Sequence, residues 1–534
     1  MKGFFIPGPG DDGDPVTGHY YEAASHDPAR PQVWGYTDRI SYAPGDVLAL
    51  HAMSSAATID VVICRDGLAP REVLRTTIPG GFAATPADCS IRGCGWPERA
   101  AIPIPQDWAS GLYRIALSVP GHRSEHMFAL RAGAARAPLA MILCTGTWCA
   151  YNDWGGSNHY QGLSGPSGRE FAAHVSLHRP WATGFVQWPA DAPRIPHASP
   201  PLTRPRYPHM EYARANGVSK KYASSGWAAF ERPFALWLEA QGIACDVLTQ
   251  HDLHANPEAL AGYARAVIVG HDEYWTWEMR DHLDAWLDAG GELARFAGNF
   301  FWQTRLSEDL SIQTCHKARA EAEDDVADPQ RLTSYWDHPQ VGRPAVATMG
   351  LTGAAGVYAG WSRCAAHGAG GFTLYRPDHW AVRGTGLGYG DVLGAAAKVF
   401  AYEVDGIDYT MTHGLPFPAA DAGLAGDLTI VALSPATTLA HTTGPQDADP
   451  FIGSADAEEV AAKVYPGDPD AMGRASRGNG CIAEYRRGRG AVFNAASCEW
   501  VAGLIAGDGP VEAVTRRVLL GAWGGAPGSG DVAS

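Results

Sequence analysis

Between residues 30 and 130 the apolar positions fall in short alternating runs separated by turn residues: VWGYTDRISYAPGDVLALHAMS, ATIDVVICRDG, AAIPIP and GLYRIALSVPG. Period-two alternation at this spacing predicts an antiparallel, immunoglobulin-like β-sandwich, with Pro44-Gly45-Asp46 as one of its turns. The segment RAGAARAP at 131–138 ends the pattern, so the front domain is set at 1–134. From Leu139 onward the period changes. Leu139–Cys144 and Ala266–Val269 are continuous apolar runs suited to strands buried on both faces, and Ala244–Leu248 and ELARFAG at 292–298 add two more. Between them, residues 228–241 predict a helix stopped by Gly242. Trp277–Asp288 predicts another, with Met279, Leu283, Trp286 and Leu287 on one face and Gly290-Gly291 ending it. Strand and helix in alternation predict an α/β class, a doubly wound and mainly parallel sheet, over 139–525, with 526–534 as a flexible tail. Residues 310–490 predict further β structure in runs such as KVFAYEV and LTIVALS. VEAVTRRVLLGAW predicts a last helix burying Val511, Val514, Val518 and Leu519. The Pro-rich run 189–208 exceeds a simple connection and reads as a functional lid or a mobile segment.

Composition narrows the function classes. The 534 residues are 46% apolar and 18% charged, the make-up of a globular chain of two or three domains. With 41 Lys+Arg against 57 Asp+Glu, the formal charge of -16 repels phosphate backbones and anionic lipid, which argues against nucleic acid or a membrane surface as partner. No apolar run approaches the roughly 20 residues of a spanning helix. The opening MKGFFIPGPGDDGDP is too broken for an export signal, so a cytoplasmic location is expected. Ten cysteines without a CxxC pair read as buried thiols, and Cys89 and Cys94 are the only two spaced to bridge.

Ligands of open α/β sheets bind beyond the carboxyl ends of the strands, and four such ends here carry dense polar and aromatic segments. They are TGTWCAYNDWGG from Thr145, QHDLH from Gln250, GHDEYW from Gly270 and GNFFW from Gly298. Tyr151, Trp154, Asn299 and Trp302 are expected to wall a substrate pocket, and Glu273, His271, Asn152 and His251 are the candidate catalytic groups. GHDEYW reads as a strand-to-helix elbow, and the lack of Ser or Cys in it argues against a covalent hydrolase. Tyr274 offers a phenolate oxygen suited to a hard metal, or packs under the following helix. His251, Asp252 and His254 are metal-ligand types, although Asp252, ahead of LHANPEAL, is better suited to cap a turn or a helix start. Asn152 and Asn299 suit a substrate carbonyl or, alternatively, their own loop backbone.

AYNDWGG, VLTQHDLH, GHDEYWTWEMRDHLDAWLDAGGELARFAGNFFWQTRL, GRGAVFNAASCEW and GYTDRISYAPGD together resemble the large subunit of N,N-dimethylformamidase and its relatives, over about residues 35 to 505. The resemblance implies a front sandwich, a central domain like the class I glutamine amidotransferase or trehalose-utilisation fold, and hydrolysis of an N-substituted formamide to an amine and formate. It also implies a mononuclear Fe(III) held by two tyrosines and one glutamate and acting as a Lewis acid. Carried over residue by residue, Tyr274 matches one tyrosine, Tyr222 is the candidate for the second, and Glu273 or Glu403 is the candidate carboxylate. The expected partners are a small-molecule amide and either a second copy of the chain or a small subunit. Two rivals stand beside this reading: a metal-independent sugar-modifying or sugar-binding protein of the trehalose-utilisation-like fold, and a family member that has lost its ligands and its catalysis.

Overall fold

The computed structural model describes residues 4–15, 17–165, 168, 170–195, 208–323, 326–357, 370–435 and 454–523. Most of the Pro-rich run 189–208, Cys364 and the tail 526–534 lie outside these residues. The chain divides into two compact units interleaved along the sequence. The first is Met1–Tyr263, Val269–Trp286 and Phe300–Arg343, and the second is Ala264–Ile268, Leu287–Asn299 and Pro344–Ser534.

In the first unit, the alternating runs form two sheets. Strands Ser41–Tyr42, His122–Leu130, Gly111–Val119, Thr58–Arg65 and Arg71–Pro79 lie side by side in that order, and Val33–Thr37, Val47–Ser54 and Glu98–Pro103 form a three-stranded sheet. Alternation decides which side chains turn inward: Ile59, Val61 and Ile63 are buried, whereas Thr58 before them and Asp60 among them are exposed. These side chains meet Val33, Leu48, Leu50, Ile115, Leu117 and Phe128 in one core, so the two sheets form a sandwich. Each such fully buried side chain contributes about 1.5–3 kcal/mol.

The same unit holds the first α/β elements. Leu139–Leu143 pairs in parallel with Asp246–Thr249, and each strand runs directly into a helix, Thr145–Tyr151 and Gln250–Ala255. The second helix starts on a capping box in which Thr249 Oγ1 accepts the Asp252 N–H and the Asp252 carboxylate accepts the Thr249 N–H. The helix expected over 228–241 spans Glu231–Ala240. The elbow differs from expectation. After strand Arg265–His271 the chain does not enter the helix at once but forms a short strand, Tyr274–Thr276, which pairs in parallel with Trp302–Leu306 before helix Trp277–Asp288 begins.

In the second unit, strand Glu292–Gly298 falls where expected and pairs in parallel with Gly490–Asn494. The pairs that follow it, through Asn479–Arg487, Asp427–Pro435, Phe372–Leu374 and Val392–Leu393, are all antiparallel, so this sheet is mixed rather than mainly parallel. LTIVALS is a strand as predicted, whereas KVFAYEV contributes only its last residue to one, Val404–Gly406. Helix Gly509–Leu520 buries Val511, Val514, Val518 and Leu519, the four residues its period selected. The chain is thus mixed α/β and rich in sheet.

Candidate functional site

Gly270, next to last in its strand, has φ +84°, and a Cβ there would fall 2.2 Å from Phe230 Cβ and 2.4 Å from its ring, so only glycine permits the turn that delivers His271, Asp272 and Glu273. The Glu273 N–H donates to Thr147 Oγ1 at 2.9 Å, and its carbonyl accepts the Trp302 N–H at 2.9 Å, which fixes the backbone on both sides. Tyr274, one residue on, is held by Gln250, whose Nε2 donates to the Tyr274 carbonyl at 3.1 Å while its Oε1 accepts the Gly146 N–H at 2.8 Å.

The Glu273 carboxylate is 3% exposed and surrounded by donors. Tyr160 Oη donates to it, 2.6 Å from Oε2 and 2.8 Å from Oε1. Trp302 Nε1 donates to Oε1 at 2.7 Å. Tyr274 Oη donates to Tyr160 Oη at 2.8 Å, giving a chain of two phenols ending on a carboxylate. His271 Nε2 stands 3.3 Å from Glu273 Oε2, and its other nitrogen, Nδ1, faces the Ser224 carbonyl at 2.9 Å. A carbonyl can only accept, so Nδ1 carries the proton. In the neutral ring, Nε2 is then an acceptor facing a second acceptor, an arrangement that calls for a proton or a cation between them.

Two further cations border this chain. Lys317 Nζ lies 3.3 Å from the Tyr160 ring centroid and 5.6 Å from that of Tyr274. Lys221 Nζ lies 4.6 Å from the Tyr160 ring and 5.3 Å from that of Tyr151, and burial, reinforced by Lys220, pushes its amine down to about 7. The Tyr151 ring is 4.4 Å from Tyr160 and 5.2 Å from His271. His159 stacks on Tyr274 at 5.6 Å and is held neutral by burial, its pKa lowered to about 3.

The structure therefore gathers Glu273, His271, Tyr274, Tyr151 and Trp302. The other residues singled out from sequence have partners of their own. Tyr222 donates its hydroxyl to the Pro193 carbonyl at 2.5 Å and packs on Trp188. Asn152 ties its own loop, donating to the Pro180 carbonyl and accepting from the Trp154 and Ala182 N–H groups. Trp154 packs between Trp34 and Trp96. His251 Nδ1 bonds Thr145 Oγ1 at 2.7 Å, burial lowers its pKa to about 3, and it lines a separate cavity of about 390 Å³ with Arg131 and Asp252. His254 Nδ1 bonds Thr276 Oγ1. In the second unit, Asn299 donates its side-chain amide to Glu403 at 2.8 Å and its backbone N–H to Asp405 at 2.7 Å.

Tyr160, Lys317 and Lys221 did not stand out in the sequence. Tyr160 follows AYNDWGG by only a few residues, and Asn158 aims it, accepting the Tyr160 and Gln161 N–H groups at 2.8 Å each and donating to the Tyr151 carbonyl. The segment Asn158-His159-Tyr160 was the available signal, as a continuation of the loop after the first strand.

Among known families, the one described as N,N-dimethylformamidase beta subunit-like, C-terminal, matches residues 66–511. No curated protein matches the chain.

Proposed function

The chain belongs to the N,N-dimethylformamidase beta subunit-like family, and from that premise we propose that Glu273, Tyr160 and the groups around them form the hydrolytic centre of an amidohydrolase that cleaves the C–N bond of an N-substituted formamide or similar small amide. One observation carries this reading: a buried carboxylate, two phenols in series and an imidazole nitrogen converge within 2.6 to 3.3 Å contacts.

The donor set fits the iron that the resemblance implies. Glu273 and Tyr160 are hard oxygen donors in mutual contact, Tyr151 and Tyr274 flank Tyr160 with further phenols, and the His271–Glu273 pair calls for a positive charge between its acceptors. Glu273 and two of these three phenols are the proposed ligands. When bound, Fe(III) would supply Lewis acidity toward the amide carbonyl. The protein's own groups do the rest. Trp302 Nε1 and the Thr147 contact hold Glu273 in place, so the carboxylate needs no reorganisation. Lys317 keeps positive charge against the Tyr160 ring. Asn158 holds Tyr160 at its station.

Around this centre we read Leu139–Leu143 and Asp246–Thr249 as part of an amidotransferase-like core spanning 139–525, behind the front sandwich. The family description's word subunit supports assembly with further chains. No helix of the described residues is long and apolar enough to cross a membrane.

Purified protein from iron-replete cells should contain iron and show a phenolate-to-iron absorption band, and should hydrolyse formamides. Glu273→Gln and Tyr160→Phe should each lower kcat/KM by at least about 100-fold, the range of a lost acid–base or electrostatic group. Full activity in both variants, or a colourless wild type free of metal yet fully active, overturns the proposal.

A further inference from the structure

Cys89 and Cys94 stand apart from the centre just described. A single helical turn, Cys89–Arg92, ends where the Gly93 N–H donates to the Cys89 carbonyl at 2.9 Å, and the Cys94 N–H is tied to the His178 carbonyl at 2.8 Å. Both side chains are buried, and neither is in a disulfide. Arg179 lies beside them, 1% exposed. Its Nε donates to the Ser176 carbonyl and its Nη1 to the Trp154 and Ser157 carbonyls, but Nη2 has no hydrogen-bond partner among the described residues. The anionisable groups acting most strongly on this guanidinium are Cys89, Cys149 and Cys94, with Asp153 behind them.

Arginine does not surrender its proton, so its buried guanidinium favours ionisation of a thiol beside it. The neighbouring Cys94, together with the Arg179 charge, holds the Cys89 thiol below its ordinary value against burial, whereas burial raises Cys94 well above it. One sulfur is thus poised to attack and the other to follow. We propose that Cys89 and Cys94 are an oxidisable dithiol, with Cys89 as the peroxide-reactive thiolate and Cys94 as the resolving thiol.

The Cys89 thiolate displaces hydroxide from hydrogen peroxide and becomes a sulfenic acid. Cys94 sulfur then attacks that sulfur, loses its proton and expels water as the disulfide forms. Two thiols lose two electrons in all, and one peroxide ends as two waters. The dithiol also touches the loop that carries Tyr160. A Cβ on Gly155 would meet Cys89 Sγ at 2.7 Å, and Ser90 Oγ accepts the Ser157 N–H at 3.2 Å. Its chemistry is independent of the hydrolase reading and is tested without an activity assay.

The folded full-length protein is exposed to hydrogen peroxide, quenched, alkylated under denaturing conditions and digested for mass spectrometry. The expected products are disulfide-linked Cys89 and Cys94 peptides that dithiothreitol separates. They should form at least about tenfold faster than any oxidation of Cys149 or Cys315, because those thiols are raised by burial. Cys94→Ser should instead give a dimedone adduct on Cys89, and Cys89→Ser should leave Cys94 unoxidised. The proposal is overturned if Cys89 and Cys94 survive as fully alkylatable thiols as long as Cys149 and Cys315 do, or if Cys94 oxidises at the wild-type rate in Cys89→Ser.

Discussion

Gly270 sets the position of the whole Glu273 segment through backbone geometry alone, without a side chain. At φ +84° an L-residue is strained by about 1–2 kcal/mol, and the 2.2 Å approach to Phe230 adds an overpacking cost of about 1–3 kcal/mol. Gly270→Ala should therefore destabilise the protein by roughly 2–5 kcal/mol in denaturant unfolding. An unchanged midpoint would show that Phe230 yields freely. Glu273 and Tyr274 could be picked out in the sequence because acidic and aromatic residues directly after a buried strand are uncommon in an ordinary loop. Their partner Tyr160 sits in a loop that continues the AYNDWGG segment, but it lies 113 positions from Glu273 and nothing in its neighbours encodes that meeting. Tyr222 drew attention for the same reason that Tyr160 escaped it: a phenol's chemistry is visible in a sequence, its address is not.

Among the elements, helix Glu231–Ala240 shows how tertiary contacts trim a periodic pattern. Its apolar spacing runs from 228, yet the helix begins at Glu231, whose side chain turns into the core. Glu231 Oε1 accepts the Cys144 N–H at 3.2 Å and Trp148 Nε1 at 3.0 Å, so it joins this helix to the start of Thr145–Tyr151. Burial raises its carboxyl from the ordinary 4.5 to about 8. The folded state therefore keeps a proton that the unfolded chain gives up above about 4.5, and this contribution to stability is present in acid and lost as pH rises through about 8. Wild-type stability, measured by urea unfolding from pH 5 to 8, should carry a downward component that Glu231→Gln lacks. Parallel pH profiles in the two proteins would rule this out. The helix Gly509–Leu520, by contrast, has its buried face set by its own period, because no charged residue interrupts that face.

For the whole molecule, the proposed iron makes stability depend on an external ligand. A cation bound by Glu273 and phenols from the loop after the first strand and from Tyr274–Thr276 joins segments far apart in the chain, and binding to the folded state alone stabilises it by mass action. Removing iron with a strong chelator should bleach the absorption band and lower the melting temperature, and restoring iron should reverse both. A melting temperature indifferent to iron, in protein shown to have lost and regained it, would place the metal outside these segments. The overall charge of -16 suits a small neutral substrate better than an anionic polymer, which agrees with an amide-sized ligand.

The amino-acid sequence determined what is periodic or punctuated locally. This includes the alternating strands of the sandwich, the apolar strands at 139–143 and 292–298, the inward face of the last helix, and the glycine that turns the chain before His271. Each of these follows from the positions of side chains a few residues apart, where burial and backbone sterics act directly. Tertiary structure decided the rest: that Tyr274 sits in a strand rather than at a helix start, that the second unit's sheet is largely antiparallel, and that Tyr160, Lys317 and Lys221 reach the Glu273 carboxylate and its phenols. Such meetings depend on how distant segments pair and pack, and the free energy that selects them resides in contacts no local pattern contains.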